Sequence, residues 1–101
     1  MSQENAVLVI NAIVNKSNME EVPEYLGSVM KIFGQHGGKP IGRYKATESI
    51  SGEDSPEMVA ILQFPSAEMI TSMANGSEFQ ALGEQRSRVF SKLNMVICEG
   101  M

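Results

Sequence analysis

The sequence has one cysteine, one histidine and no tryptophan among its 101 residues. A single cysteine, Cys98, excludes an internal disulfide. Together with one histidine and scattered carboxylates, it also leaves no ligand spacing typical of a metal site. Cys98 lies in an apolar stretch, where a cysteine usually acts as a small buried hydrophobic residue. We therefore predict that the protein uses neither a metal nor another cofactor.

An excess of positive charge is also missing. Eight Lys and Arg residues face twelve Asp and Glu residues, which gives a formal net charge of -4. Nucleic-acid modules need a basic surface to neutralise phosphates, so we expect no nucleic-acid partner. No apolar run approaches the roughly 20 residues of a membrane span, and the first residues lack the basic region of a secretory signal. These absences predict a cytoplasmic protein with no membrane partner.

The first half of the chain contains regular elements with polar breaks between them. Ala6 to Val14 is almost entirely apolar and rich in β-branched side chains, which predicts a strand buried on both faces. Apolar residues recur at helical spacing from Val22 to Phe33, and Gly37-Gly38 supplies a stop signal. Lys39 to Ser49 and Glu57 to Phe64 flank a polar turn, and we predict that they form a hairpin.

The second half begins where the third strand stops. Pro65 has no amide proton for a sheet ladder, and Ser66 is a good N-cap for the helix that follows. We expect that helix to break near Gly76, with this glycine in the left-handed conformation, and then to resume. Leu93 to Glu99 is typical of a last strand.

The resulting order, βαββαβ, predicts an α+β ferredoxin-like fold with a four-stranded antiparallel sheet and a second helix broken near Gly76. We expect a single domain over residues 1–101, in which residues 1–5 form a flexible N-terminus. Helices on one side cover only one face of such a sheet. The two-sided apolar strand therefore requires another cover for its second face.

A set of short phrases, in a fixed order, extends from Leu8 to Gly100. The phrases are Gly37-Gly38, Phe64-Pro65-Ser66, the stretch from Gly76 to Leu82 followed by Arg86, and the ending from Met95 to Gly100. Together they resemble the uncharacterised family called domain of unknown function thirteen-thirty. The resemblance implies a dimeric α/β barrel, in which two ferredoxin-like sheets pack face to face across a two-fold axis with the helices outside.

The same resemblance leaves the activity open. Related barrels include cofactor-independent monooxygenases, muconolactone-isomerase-like proteins and haem-binding enzymes, so the fold alone does not indicate the chemistry. Family members often carry acidic residues toward the middle of strand one. This sequence has Asn11 and Ile13 there, so an acid-dependent activity would be absent or adapted.

Polar residues inside the predicted strands are the candidates for ligand binding. Asn11 and Gln63 interrupt apolar strands, and a buried polar group needs a partner such as a ligand or a water. Tyr25 and Tyr44 could donate phenolic hydrogen bonds into a cavity, with packing in the core as the alternative. Arg43, on the same strand as Tyr44, could hold a substrate carboxylate or could form an intersubunit or surface ion pair.

Two further residues carry alternative interpretations. His36 is the only imidazole, and with Tyr44 it is a weak candidate for proton transfer; a capping or exposed role is the alternative. For Arg86 we predict a salt bridge that stabilises the broken helix, with ligand binding as the alternative.

These observations predict a homodimeric small-molecule-binding protein with a mostly apolar cavity between the sheet and its helices. Asn11, Arg43, Tyr44 and Gln63 are its predicted ligand-binding residues. Whether the protein is an enzyme stays open. The alternative function is that of a cofactor-free monooxygenase or an isomerase acting on a small enolisable or phenolic substrate. A third hypothesis is a scaffold whose dimer interface is its only functional surface.

Overall fold

Four strands and the intervening helices follow one another in the predicted order. The computed structural model describes residues 6–52 and 55–101, so the predicted flexible segment 1–5 lies outside the described residues. The elements are β1 (Ala6–Val14), a 3-10 helix (Lys16–Glu21), α1 (Val22–Gln35), β2 (Lys39–Lys45), β3 (Met58–Phe64), α2 (Ala67–Asn75), α3 (Ser77–Ala81), α4 (Gly83–Val89) and β4 (Phe90–Glu99). None of the helices in the described part is long and apolar enough to cross a membrane.

The strands form one antiparallel sheet in the order β2-β3-β1-β4. At the middle of the sheet, Ile10 of β1 pairs with Ala60 of β3 and Met95 of β4. Ala60 in turn pairs with Arg43 of β2. This topology confirms the predicted α+β ferredoxin-like fold.

Local signals account for the junction between β3 and α2. β3 ends at Phe64 as predicted, because Pro65 cannot donate to the sheet. The hydroxyl of Ser66 accepts a hydrogen bond from the backbone amide of Met69 at 3.3 Å, which caps α2.

The break in the second helical segment also lies where it was predicted. α2 ends at Asn75 and α3 begins at Ser77. The expected left-handed conformation of Gly76 is wrong, because its backbone is extended, with φ -73° and ψ 154°. Its carbonyl accepts from the amide of Gln80 at 3.1 Å, so Gly76 begins the next helix as its N-cap.

β3 begins one residue later than predicted, at Met58, and two other strand ends differ by more. β2 ends at Lys45 rather than Ser49, because its partner β3 begins only at Met58 and offers no strand beyond that point. β4 begins at Phe90 rather than Leu93. A register shift after Ile13 lets Phe90 pair with Val14, so the sheet continues past the predicted end.

The two faces of β1 differ in burial. Ala6, Leu8, Ile10 and Ala12 point toward the helices, on what we call the helix face, and are at most 8% exposed. The alternate residues, Val7, Val9, Asn11 and Ile13, are only partly buried on what we call the open face. Among the described residues of the single chain, β1 is therefore fully buried on its helix face only, and the predicted burial of both faces is not reached.

Candidate functional site

A small cavity lies between the helix face of the sheet and α1, and its volume is about 40 Å³. Side chains from all four strands and from α1 line it, and nearly all of them are apolar. Ile10, Ala60 and Met95 contribute from the sheet, while Val29 and Met30 contribute from α1. Such a lining favours an apolar ligand and offers few polar groups to orient one.

Tyr25 contributes an unpartnered polar group to this lining. Its side chain is 2% exposed, and its hydroxyl has no hydrogen-bond partner among the described residues. The ring packs edge to face against Phe90, with 5.6 Å between centroids. Burial raises the pKa of the Tyr25 phenol, against a smaller lowering by the positive charge of Arg86. Tyr25 is therefore a neutral hydrogen-bond donor at neutral pH.

The helical pattern of α1 explains the burial of Tyr25. It lies three residues after Val22 and four before Val29, and so falls on the apolar stripe of the helix. From the sequence, Tyr25 was a possible donor into a cavity but not one of the predicted ligand-binding residues. A phenol inside an apolar helical stripe is nevertheless a visible signal, because its hydroxyl must find a partner wherever the ring is buried.

Arg86 lies beside Tyr25 and does not form the predicted salt bridge. Its two terminal guanidinium nitrogens donate to the carbonyl of Phe79 at 2.9 and 3.3 Å. Its guanidinium carbon is 4.0 Å from the centroid of the Phe79 ring and 5.9 Å from that of Tyr25. The ion pairs of the described residues instead join Lys16 to Glu57 and Glu21 to Arg88. Arg86 thus stabilises the broken helix through a carbonyl and a ring.

Arg43 belongs to the same cavity. It pairs with Ala60, which pairs with Ile10, so all three lie on the helix face. Its side chain lines the cavity yet is exposed, which places it where the cavity meets solvent. Among residues 6–52 and 55–101 it forms no ion pair.

The other predicted ligand-binding residues lie on the open face. Asn11 and Tyr44 both pair with Val59, from opposite sides, so the structure brings these two together in one row. Gln63 lies four residues along β3 from Val59, beside Val7. None of the three lines the cavity under the helices. Their role in binding a ligand stays a prediction, and it would concern a different surface from that of Arg43.

His36 follows the last residue of α1 and is partly buried. Its Nδ1 lies 3.0 Å from the carbonyl oxygen of Ile32, so a protonated Nδ1 donates to the free end of the helix. His36 does not line the cavity. In the described part of the chain, no three His, Cys, Asp or Glu residues are grouped to hold a metal ion.

Several solved structures have a fold similar to that of this chain. A Rhodopseudomonas palustris protein of unknown function is 12% identical, with a TM-score of 0.79 over 96% of this chain and 82% of that chain. A dabb family protein with a ferredoxin-like fold from Mesorhizobium loti is 14% identical, with a TM-score of 0.69 over 98% and 99% of the two chains.

A candidate antibiotic biosynthesis monooxygenase from Nitrosomonas europaea is 10% identical, with a TM-score of 0.61 over 100% of this chain and 94% of that chain. At these identities the similarity shows the fold alone. No curated protein matches the sequence at a significant level. The family profile described as Domain of unknown function (DUF1330) matches residues 6–101. This chain therefore belongs to the DUF1330 family.

Proposed function

We propose that the protein is a homodimer that binds a small organic molecule in the cavity between the sheet and α1. The observation that carries this proposal is the buried hydroxyl of Tyr25, which lacks a partner in an otherwise apolar wall. A buried hydroxyl without a hydrogen bond costs about 1–3 kcal/mol. A ligand oxygen that accepts from Tyr25 would recover part of that cost and would be oriented by it.

The cavity must widen before it can hold a small organic molecule. Its 40 Å³ is far below the roughly 300–1,000 Å³ of ordinary small-molecule sites. Met30, Met58 and Met95 line it, and the flexible methionine side chain adapts readily to a new shape. We expect these three side chains to move apart when a ligand enters.

The open face supports the homodimer. Val9 of β1 pairs with Ile61 of β3 and Val96 of β4 on the side without helices, and Val7, beside Cys98, extends this apolar surface along β1. Val96 is 43% exposed in the single chain. A second copy, packed sheet to sheet, would cover these residues in the manner implied by the dimeric barrel.

A titration with phenol tests the ligand site. Phenol combines an apolar ring with one hydroxyl, and its binding can be followed through backbone amide NMR shifts. We expect saturable shifts centred on α1 and β3. Ala60→Leu fills the cavity and should abolish them, whereas Val59→Leu adds bulk on the open face and should leave them unchanged.

Two outcomes would overturn the cavity as the ligand site. One is the absence of saturable shifts with phenol in the wild-type protein, combined with native mass spectra that show no retained small molecule. The other is unchanged phenol binding in a folded Ala60→Leu variant, because the added side chain would then lie outside the route of the ligand.

A second candidate function is cofactor-free oxygenation or isomerisation of a phenolic or enolisable substrate. The same Tyr25 hydroxyl favours it, since a neutral donor in an apolar cavity can stabilise a developing oxyanion. His36 and Tyr44 do not line this cavity. If bound phenol is converted under air by the wild type and not by Tyr25→Phe, the protein is an enzyme; unchanged phenol supports binding alone.

A further inference from the structure

We infer that the ligand of the cavity is a small monocarboxylate, with its apolar body between the sheet and α1 and its carboxylate at Arg43. This inference rests on the proposed function, because it specifies the chemical class of that ligand. It depends on the placement of Arg43, on the charges around the cavity and on the second polar group, Tyr25.

The sheet register determines where Arg43 lies. A register shift between Pro40 and Gly42 sets the positions that follow in β2, so that Arg43 pairs with Ala60 on the helix face. Arg43 is thereby the charged residue in a lining that is otherwise uncharged. Arg43 is exposed and lines the cavity, and a long arginine side chain in such a position can keep its guanidinium in water while its stem contacts apolar residues.

Arg43 and a second cation on the same face of β2 carry a charge opposite in sign to that of the whole chain. Lys45 follows Arg43 by two residues on β2 and pairs with Met58, so both cations lie on the helix face of this edge strand. The chain as a whole carries a net charge of -4. A local positive region on an acidic protein favours the approach of a small anion to this opening over other parts of the surface.

Arg43 and Tyr25 would recognise different parts of such a ligand. A guanidinium binds a carboxylate through two parallel hydrogen bonds. The Tyr25 hydroxyl, deep in the wall, can donate to a carbonyl or hydroxyl oxygen on the body of the ligand. A small aromatic or alicyclic acid that carries such an oxygen would satisfy both groups and fill the apolar space between them.

The test compares two probes of the same shape, 4-hydroxyphenylacetate and its uncharged amide, by NMR titration. We expect the acid to bind the wild type about three- to tenfold more tightly, a range that allows for the hydration of the exposed Arg43. Arg43→Gln should remove this preference, because it weakens the binding of the acid more than that of the amide. Lys39→Gln is the matched control, because Lys39 lies on the same strand beside Gln63 of the open face.

The outcomes separate this inference from the proposed function. If both probes bind equally well to the wild type, or if Arg43→Gln retains the preference for the acid, the carboxylate inference is wrong. Binding of the amide that Ala60→Leu abolishes would still support the cavity in that case. If neither probe binds the wild type in a saturable way, both the inference and the ligand site fail.

Discussion

The guanidinium carbon of Arg86 lies 4.0 Å from the centroid of the Phe79 ring, while its terminal nitrogens donate to the carbonyl of the same residue. One side chain of α4 thereby binds both the backbone and the ring of α3. The same guanidinium carbon lies 5.9 Å from the centroid of the Tyr25 ring on α1. Arg86 joins the three helices next to the cavity wall.

Replacement of Arg86 should therefore reduce stability more than replacement of a surface arginine. We expect Arg86→Met to lower the free energy of unfolding by about 2 kcal/mol, through loss of the charged hydrogen bonds and the contact with the ring. Arg86→Lys should give an intermediate loss, because lysine keeps the charge and not the two-pronged geometry. Urea denaturation measures both. Equal stability of Arg86→Met and wild type would contradict this role.

Tyr25→Phe should have the opposite effect. Because it removes a buried hydroxyl without a partner, we expect the free energy of unfolding to rise by about 1 kcal/mol. Because burial raises the pKa of Tyr25, its phenol ionises less readily in the folded chain than in the unfolded one, so the wild type loses further stability as the pH rises above the ordinary value of 10.0.

The advantage of Tyr25→Phe over the wild type should consequently grow above that pH. Urea denaturation at neutral and alkaline pH measures the change. Tyr44→Phe, at a side chain that is 57% exposed, is the matched control. A stability for Tyr25→Phe that stays below that of the wild type at every pH would indicate that the hydroxyl has a partner in solution.

Replacement by alanine should change stability in opposite directions at Gly34 and Gly38. A Cβ on Gly38 would lie 2.6 Å from Cζ of the buried Phe64 and 2.9 Å from the carbonyl oxygen of Phe33. We expect Gly38→Ala to lower the free energy of unfolding by about 1–3 kcal/mol through overpacking. Gly34, inside α1, has no atom within 4 Å of an added Cβ, and Gly34→Ala should raise stability by up to about 1 kcal/mol. Thermal unfolding of the two variants compares them directly, and a loss in both would contradict the prediction.

Glu57 should make stability depend on acid pH. A hydrogen bond from Lys16, at 2.9 Å, and one from the Val14 amide, at 3.1 Å, lower the pKa of its carboxyl group. A lowered pKa means that the stabilisation is complete above the ordinary value of 4.5 and is lost as the pH falls through the folded-state value.

Glu57→Gln should therefore unfold at a lower temperature than the wild type at neutral pH, with a difference that shrinks below pH 4.5. Added salt should reduce the difference as well, because both partners of the Lys16 pair are substantially exposed. Glu48→Gln, in the loop after β2, is the control. A difference independent of pH would indicate that packing, and not the charge, makes Glu57 important.

The open face provides a test of the dimer. Val9 lies at the centre of this face, between Ile61 and Val96, and an unpaired lysine there could not be buried against a second sheet. We expect light scattering to show a dimer for the wild type and a folded monomer for Val9→Lys. Thr71→Lys, at an exposed site on α2, should stay dimeric. A monomeric wild type at micromolar concentration would contradict the homodimer.

Local signals in the sequence were sufficient to predict several elements closely. The bounds of β1 agree with the prediction at both ends, because its apolar, β-branched run is flanked by polar residues. Pro65 and Ser66 predicted the end of β3 and the start of α2, since a missing amide and a capping hydroxyl act on adjacent backbone groups. The break at Gly76 was visible for a similar reason, although the conformation of that glycine was not.

Only the tertiary structure decided which residues share a site. Alternation along β2 separates Arg43 from Tyr44 in the sequence, yet it does not indicate which of the two faces the helices. Pairing with β3, after the register shift beside Gly42, places Arg43 on the helix face and Tyr44 on the open face. The sequence by itself therefore determined the elements and their order, because propensities, caps and breaks are local. That Arg43 and Tyr25 line the same cavity came only from the packing of α1 on the sheet, because contacts between distant segments depend on register and on which face is buried.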